Sequence, residues 1–172
     1  LSDDPRDLII DSRMAWHFTR GTFRVYLTTE PEISAARIMA ARREVESFGS
    51  LEETAAQILR RRESEKRRYH DLYGVDLTDL SNYFLVVDTS YATPEQVADT
   101  ILASLAAWQA NSELRFCEIS PRRLRYPDEA PDMDAVPILA ERIACGEPQP
   151  EITVFAENGS FYVEGGVAAA LA

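Results

Sequence analysis

Along this chain, short contiguous apolar runs alternate with stretches in which apolar positions recur every three or four residues. The run Asp7–Asp11 (DLIID) predicts a buried strand. Thr22–Thr29 (TFRVYLTT), alternating and rich in β-branched residues, predicts a second. The period then changes: Ile33, Ala36, Ile38, Met39 and Ala41 fall near one face of a helix. Thr29 with Glu32 offers that helix a capping box, and Gly49 a stop. A second box, Ser50 with Glu53, opens a helix that ends at Gly74. Asn82–Thr89 (NYFLVVDT) is a strongly apolar strand. Thr93 and Pro94 then start a helix whose stripe runs through Val97, Ile101 and Leu105. Strands alternating with long helices predict an α/β fold, with a parallel sheet and flanking helices.

The texture changes near Asn111. ELRFCEIS reads as a strand, PRRLRYPDEAPDMD as a proline-rich connection, and MDAVPILAERIACG as a helix with Pro137 near its start. EITVFAENGSFYVEGG is a hairpin turning at Asn158-Gly159, and the closing VAAALA is barely more than one helical turn. We expect two parts, residues 1–110 and a smaller α+β module over 111–172.

A chain of 172 residues, 45% hydrophobic and 27% charged, has the composition of an ordinary globular protein. No apolar run approaches the length of a membrane span, and the first residues lack the basic and apolar regions of an export signal. These features, with Cys117 and Cys145 far apart and read as reduced thiols, predict a cytoplasmic protein. Two histidines, His17 and His70, are too few for a histidine metal site. A net charge of −11 and a pI near 4.6 argue against non-specific binding to nucleic acid or to an anionic membrane.

Against that background, Arg60–His70 gathers six Lys/Arg and two Glu. Arg61, Glu65 and Arg68 have i, i+4, i+7 spacing, so two guanidinium groups flank one carboxylate on a helical face. Their remaining donors form forks suited to phosphate oxygens. The alternative is a solvated charged face. A preceding helix carries Arg37, Arg42 and Arg43, and Arg13 leaves the first predicted strand at its carboxyl end, where α/β sheets bind ligands. Three arginine groups on one crevice would suit phosphoryl transfer, which depends on positioning and charge stabilisation.

The segments LIIDSRMAWHF, RVYLTTEPEISAARIMAARRE and RRRESEKRRYHDLYGVDLTDLSNYFLVVDTSYATPEQVADTIL together resemble a cytidylate kinase, closest to the short, archaeal-type branch, over roughly residues 7–107. The R-x-x-x-E-x-x-R run followed by Y-x-x-x-Y-G-x-D carries most of the specificity. The resemblance implies a kinase-type parallel sheet with a helical lid, acting on ATP and CMP or dCMP, with magnesium brought by ATP. It implies that Arg13 holds the acceptor phosphate, from a Ser12-Arg13 pair where the family has Gly-Arg. Arg37, Arg42 and Arg43 match the lid arginines that serve the triphosphate, and Arg61, Glu65 and Arg68 the acceptor-binding set.

The family's phosphate-binding loop, G-x-x-x-x-G-K-[ST], is not in this sequence: none of the seven glycines is followed by Lys. We therefore expect the chain alone to be inactive, as either part of a longer kinase or a non-catalytic nucleotide- or protein-binding module on a decayed kinase fold. An incomplete sheet would expose an edge, so a homodimer is expected.

Residues from Cys117 onward more loosely resemble the ParB/sulfiredoxin-like fold, which grips phosphate through an Asp-Gly-His-x-Arg type signature. Here that point reads Glu164-Gly165-Gly166-Val167-Ala168. Its glycines suit either an anion at a helix N-terminus or a tight packing turn. Trp16, Phe18, Trp108 and Phe116 read as core aromatics or as a base-stacking platform, and Asp76 and Asp79 as turn residues or metal aids.

Overall fold

The structure is a computed structural model describing residues 7–42, 50–127, 132–148, 151–157 and 159–172. The chain divides into two units, residues 1–118 and 119–172.

The first unit is mixed α/β. It contains α1 (Ala15–Phe18), β1 (Val25–Thr28), α2 (Pro31–Arg42), α3 (Leu51–Tyr73), β2 (Leu85–Asp88), α4 (Pro94–Ala110) and β3 (Phe116–Glu118). The strands form a parallel sheet in the order β1-β2-β3. Parallel neighbours need crossover connections, and the helices supply them: α2 and α3 between β1 and β2, α4 between β2 and β3. Val25 pairs with Leu85, Thr28 with Asp88, and Leu85 with Phe116. As the central strand, β2 is covered on both faces, and Leu85, Val86 and Val87 are all buried.

Local sequence chemistry sets the helix ends. Ser50 Oγ accepts from Glu53 N at 3.2 Å, while Glu53 Oε2 accepts from Ser50 N at 3.0 Å, closing the predicted box of α3. Gly74 ends that helix in the left-handed region, at φ 66°. Thr93 and Gln96 make the same reciprocal pair at the start of α4, with Pro94 in its first turn. The box expected at Thr29 does not form. The helix opens at Pro31, so Glu30 holds the cap position and its carbonyl accepts from Ser34 N at 2.9 Å. The Thr29 hydroxyl lies instead 3.4 Å from Ser90 Oγ. Gly49 falls outside the described residues.

Two further expectations are corrected. The apolar run at 7–11 is not a strand, and Ile9 is fully exposed. A strand is completed by a neighbour's backbone groups, and the β1-β2-β3 ladder does not include this segment. The strand in ELRFCEIS pairs with β2, so the division falls after Glu118 rather than near residue 111.

The second unit contains β4 (Leu124–Arg125), α5 (Ala135–Ala144), β5 (Thr153–Glu157), β6 (Ser160–Gly165) and α6 (Val167–Leu171). Its sheet order is β4-β6-β5, with β4 parallel and β5 antiparallel to β6. Phe161, Val163 and Ala169 are buried in it, and Arg123 donates to the Gly159 carbonyl at 3.0 Å. Asn158, expected in the hairpin turn, lies outside the described residues; Gly159 has φ 79°.

Candidate functional site

Glu65 sits in the middle of α3, and two guanidinium groups converge on one of its oxygens. Arg61, one turn earlier, brings Nε to 3.0 Å of Oε1. Arg13, from the segment before α1, brings Nη1 to 2.9 Å of the same atom. The Glu65 side chain is only 13% exposed, against 53% for Arg13 and 71% for Arg61. A tucked carboxylate thus anchors two cations that themselves stay largely exposed. The cluster carries a net charge of +1, and its forks can take a second anion. Exposed pairs of this kind add at most about 1 kcal/mol to stability, so the arrangement is better understood as placement than as structural glue.

Arg13 is held from behind. Trp16 Nε1 donates to its carbonyl at 3.1 Å, and Met14, the next residue, is buried. The Trp16 ring meets Tyr83 edge-on at 5.9 Å, and Tyr83 meets Tyr26 of β1 at 4.9 Å. Burial, with a smaller contribution from Tyr26, pushes the Tyr83 phenol up to about 12, so it remains a neutral packing group at pH 7. This chain of rings ties the Arg13 backbone to the sheet. Phe18, by contrast, is largely exposed.

The other predicted site residues are placed differently. Arg68 stacks over the Tyr69 ring at 5.0 Å and donates to the Tyr69 hydroxyl at 3.4 Å. It also lines an open furrow of about 850 Å³ with Arg60, Glu63, Ser64 and Arg67, all on α3. A furrow lined by one helix is a surface feature rather than an enclosed site. Arg37 spends Nη2 on the carbonyls of Thr89 at 2.7 Å and Ser90 at 3.3 Å, just beyond β2. Arg42 ends α2, but its side chain, like the whole of Arg43, lies outside the described residues. Two of the three arginine groups therefore meet at Glu65, while Arg37 is tied to the carboxyl end of β2.

That end of β2 holds a polar hub that the sequence reading missed. Asp88 is buried, and its Oδ1 accepts from Ser90 N at 3.0 Å and from Ser90 Oγ at 2.6 Å. Ser90 Oγ also accepts from Glu30 N at 2.9 Å, and Tyr91 donates its hydroxyl to Glu30 Oε2 at 2.9 Å. The hub ties the ends of β1 and β2 together. Its signal was present in the sequence as an Asp-x-Ser turn directly after an apolar strand.

Asp76 and Asp79 each accept from a backbone N–H two residues on, at 2.8 and 3.0 Å, the geometry of turn residues. Burial alone would raise the Asp76 carboxyl. The Thr78 hydrogen bonds and the Lys66 ammonium at 3.5 Å outweigh it and hold the group below its ordinary value. In the second unit, a Cβ on Gly166 would come within 2.6 Å of the Glu151 carbonyl, at φ 74°. Close packing accounts for that glycine, and the five-residue α6 behind it is too short to make an anion site. Among the described residues no helix is long and apolar enough to cross a membrane.

Comparison with known proteins adds relatives over part of the chain. It is 38% identical over 97 residues to an S-adenosylmethionine-dependent nucleotide dehydratase of Lacinutrix mariniflava, covering 56% of this chain and 19% of that protein. It is 36% identical over 110 residues to a cytidylate kinase of Sulfolobus acidocaldarius, covering 63% of this chain and 58% of the kinase. A 49-residue stretch is 55% identical to a cytidylate kinase of Thermoplasma volcanium, covering 28% of this chain and 26% of the kinase. The chain thus spans between 19% and 58% of the length of these three relatives. No protein-family model matches it, and no solved structure does. Over somewhat more than half of its length, this chain is related to cytidylate kinases.

Proposed function

We propose that residues 1–118 form the acceptor-binding and lid part of a nucleoside monophosphate kinase that moves the terminal phosphoryl group of ATP to CMP or dCMP. The convergence of Arg13 and Arg61 on Glu65 carries this reading, because it brings two largely exposed guanidinium groups to one carboxylate oxygen. In the proposed reaction an oxygen of the acceptor phosphate attacks the terminal phosphorus of ATP, and the bond from that phosphorus to the β-phosphate oxygen breaks. CDP or dCDP forms and ADP leaves. Arg13 and Arg61 grip the acceptor phosphate, neutralise part of its charge and hold its attacking oxygen in line. Arg68 extends the grip, and Arg37, Arg42 and Arg43 serve the transferred group. Magnesium enters with ATP as part of that substrate. No group of three His, Cys, Asp or Glu side chains converges among the described residues to form a separate cage.

The loop that would cradle the ATP phosphates is not in this sequence, so the 172 residues are expected to bind acceptor without turnover. Calorimetric titration with CMP tests the reading. Binding that Arg13→Ala weakens at least about tenfold supports it. Binding unchanged by both Arg13→Ala and Arg61→Ala overturns it. A phosphoryl-transfer assay showing substantial turnover by this chain alone would overturn the role given to the loop.

One observation favours a second reading. Arg37 bonds two backbone carbonyls, which is what a structural arginine does. On that reading the unit holds a nucleotide or a protein without phosphorylating anything, and the second unit, with its ParB/sulfiredoxin-like resemblance, contributes interactions only. Arg37→Lys separates the two. A kinase completed by its loop would lose turnover with acceptor affinity intact, whereas a binding module would lose only stability.

A further inference from the structure

A second arginine-lined pocket lies at the amino ends of the sheet strands, and its residues are separate from those around Glu65. It encloses about 270 Å³ and is lined by Thr19, Arg20, Gly21 and Thr22 of the loop before β1, with Arg24, Phe84 and Trp108. Its Phe84 and Trp108 belong to a packed aromatic cluster with Phe23. Phe84 and Trp108 lie 5.1 Å apart, Phe23 and Trp108 5.4 Å, and Phe23 and Phe84 stack at 6.2 Å.

Three features in and beside this pocket favour an anion; Arg115 does not line it but shares the Phe84 ring with Arg24. Arg24 and Arg115 both lie against the Phe84 ring, at 4.5 and 4.1 Å from its centre. Neither forms an ion pair with a carboxylate among the described residues. The Arg115 donors go to the carbonyls of Ser112, Glu113 and Leu114. Burial, followed by the repulsion of Arg115 and opposed by a smaller contribution from Tyr83, lowers the Arg24 pKa from its ordinary value. Arg115 is exposed and Arg24 half-buried, so water solvates both, and two neighbouring cations with no carboxylate partner among the described residues still attract an anion placed between them. The second feature is Trp108 in the pocket wall, whose Nε1–H is buried with no hydrogen-bond acceptor. An unmet buried donor costs about 1–3 kcal/mol and marks a place where an acceptor is missing. The third is the Thr22 hydroxyl, held 3.5 Å from that of Thr19 by a turn through Gly21 at φ 68°; Thr19 already donates its proton to the Ala15 carbonyl at 2.6 Å, which leaves Thr22 as the hydroxyl that can turn to a ligand.

We propose that this pocket binds a small phosphate-bearing anion, of the size of pyrophosphate or a phosphorylated sugar. Guanidinium forks and hydroxyl donors match phosphate oxygens, and the volume falls below the usual range for drug-sized ligands. The ligand rests its phosphate on Arg24 with the Thr22 hydroxyl, against the Trp108 side chain that lines the pocket. The site does not depend on the kinase reading, since it shares no residue with Arg13, Arg61 and Glu65.

The chain has two tryptophans, Trp16 and Trp108, so its nitrogen-15 spectrum contains two indole cross-peaks, assigned by Trp16→Phe. Titration of the unaltered chain with pyrophosphate is expected to move the Trp108 peak saturably. Arg24→Met is expected to weaken that binding at least about tenfold. Thr22→Val, expected to weaken it about threefold, keeps the test valid if Arg24→Met fails to fold. The proposal is overturned by a stationary Trp108 peak, by an equal shift in sodium chloride of matched ionic strength, or by unchanged affinity in the variants. Tighter binding of citrate than of pyrophosphate would overturn the phosphate class. Loss of the shift in Arg61→Ala would assign it to the Glu65 site and overturn the proposal, whereas loss of CMP binding with the pyrophosphate shift retained would sink only the kinase reading.

Discussion

Two pairs of arginines in the first unit are held in opposite ways. Arg13 and Arg61 share the Glu65 carboxylate, which fixes their direction and leaves one net positive charge facing outward. Arg24 and Arg115 share the Phe84 ring, which offers attraction to cations but no formal charge to cancel theirs. Tyr83 interacts electrostatically with Arg24, yet with its phenol pushed up to about 12 it is neutral and provides no counter-charge at pH 7. The first pair is prearranged for an anion by another anion. The second is crowded against an aromatic surface, with no carboxylate partner among the described residues. If a charged side chain's partner reveals its use, the first pair should matter for ligand binding with little effect on stability, and the second should affect both.

The largest effect is expected from Arg13→Ala combined with Arg61→Ala, which removes the outward charge. CMP affinity should fall below that of either single variant, by at least about tenfold from wild type, while the melting transition moves by no more than the loss of an exposed ion pair allows. Phe84→Leu tests the other pair. Losing the ring and its two cation contacts should cost about 1–2 kcal/mol in a denaturant titration, with CMP affinity unchanged. Glu65→Gln is a subtler disturbance, because it keeps the shape and removes the anchor. Both guanidiniums regain side-chain freedom, and CMP binding should weaken about three- to tenfold with near-native stability. Greater destabilisation by Glu65→Gln than by Phe84→Leu would invert the comparison.

The smallest effect belongs to Lys66, another cation of α3, which has a carboxylate partner beyond its own helix in Asp76. The Asp76 carboxyl lies below its unfolded value, so its contribution is full above an unfolded pKa of about 3.9 and fades as pH falls through the folded value. Asp76→Asn should remove that acid-side loss, a change of about 0.5 kcal/mol or less for a partly exposed pair. Denaturant titrations at pH 3 and pH 7 on both proteins measure it.

What was legible in the sequence follows how far apart the interacting residues lie. The boxes at Ser50 and Thr93, the stop at Gly74 and the Arg61–Glu65 pair are interactions across three or four residues, and the local spacing encodes them fully. The arrival of Arg13 at Glu65 spans the fold; the sequence placed Arg13 near the other arginines through a strand at 7–11 that does not form, and no local spacing records the pair. The apolar run at 7–11 was misread because hydrophobicity shows that a strand is possible, while a hydrogen-bonded neighbour decides whether it forms. Phe116–Glu118 was assigned to the wrong part for the converse reason: pairing with β2 draws it into the first sheet. The Asp88–Ser90 hub and the Arg37 bonds to Thr89 and Ser90 depend on which loops meet at the carboxyl end of β2, which periodicity does not record. The crowding of Arg24 and Arg115 on Phe84 depends likewise on strand order, since each residue stands at the start of a different strand.

The central claim is that Arg13 and Arg61 form one grip on one phosphate group. A double-mutant cycle on CMP affinity, measured by calorimetry with Arg13→Ala, Arg61→Ala and the combined variant, tests it most directly. The account predicts a large loss in each single variant and a combined loss that departs from the sum, because both side chains touch the same group. Wild-type affinity in both single variants would contradict it, as would losses that simply add.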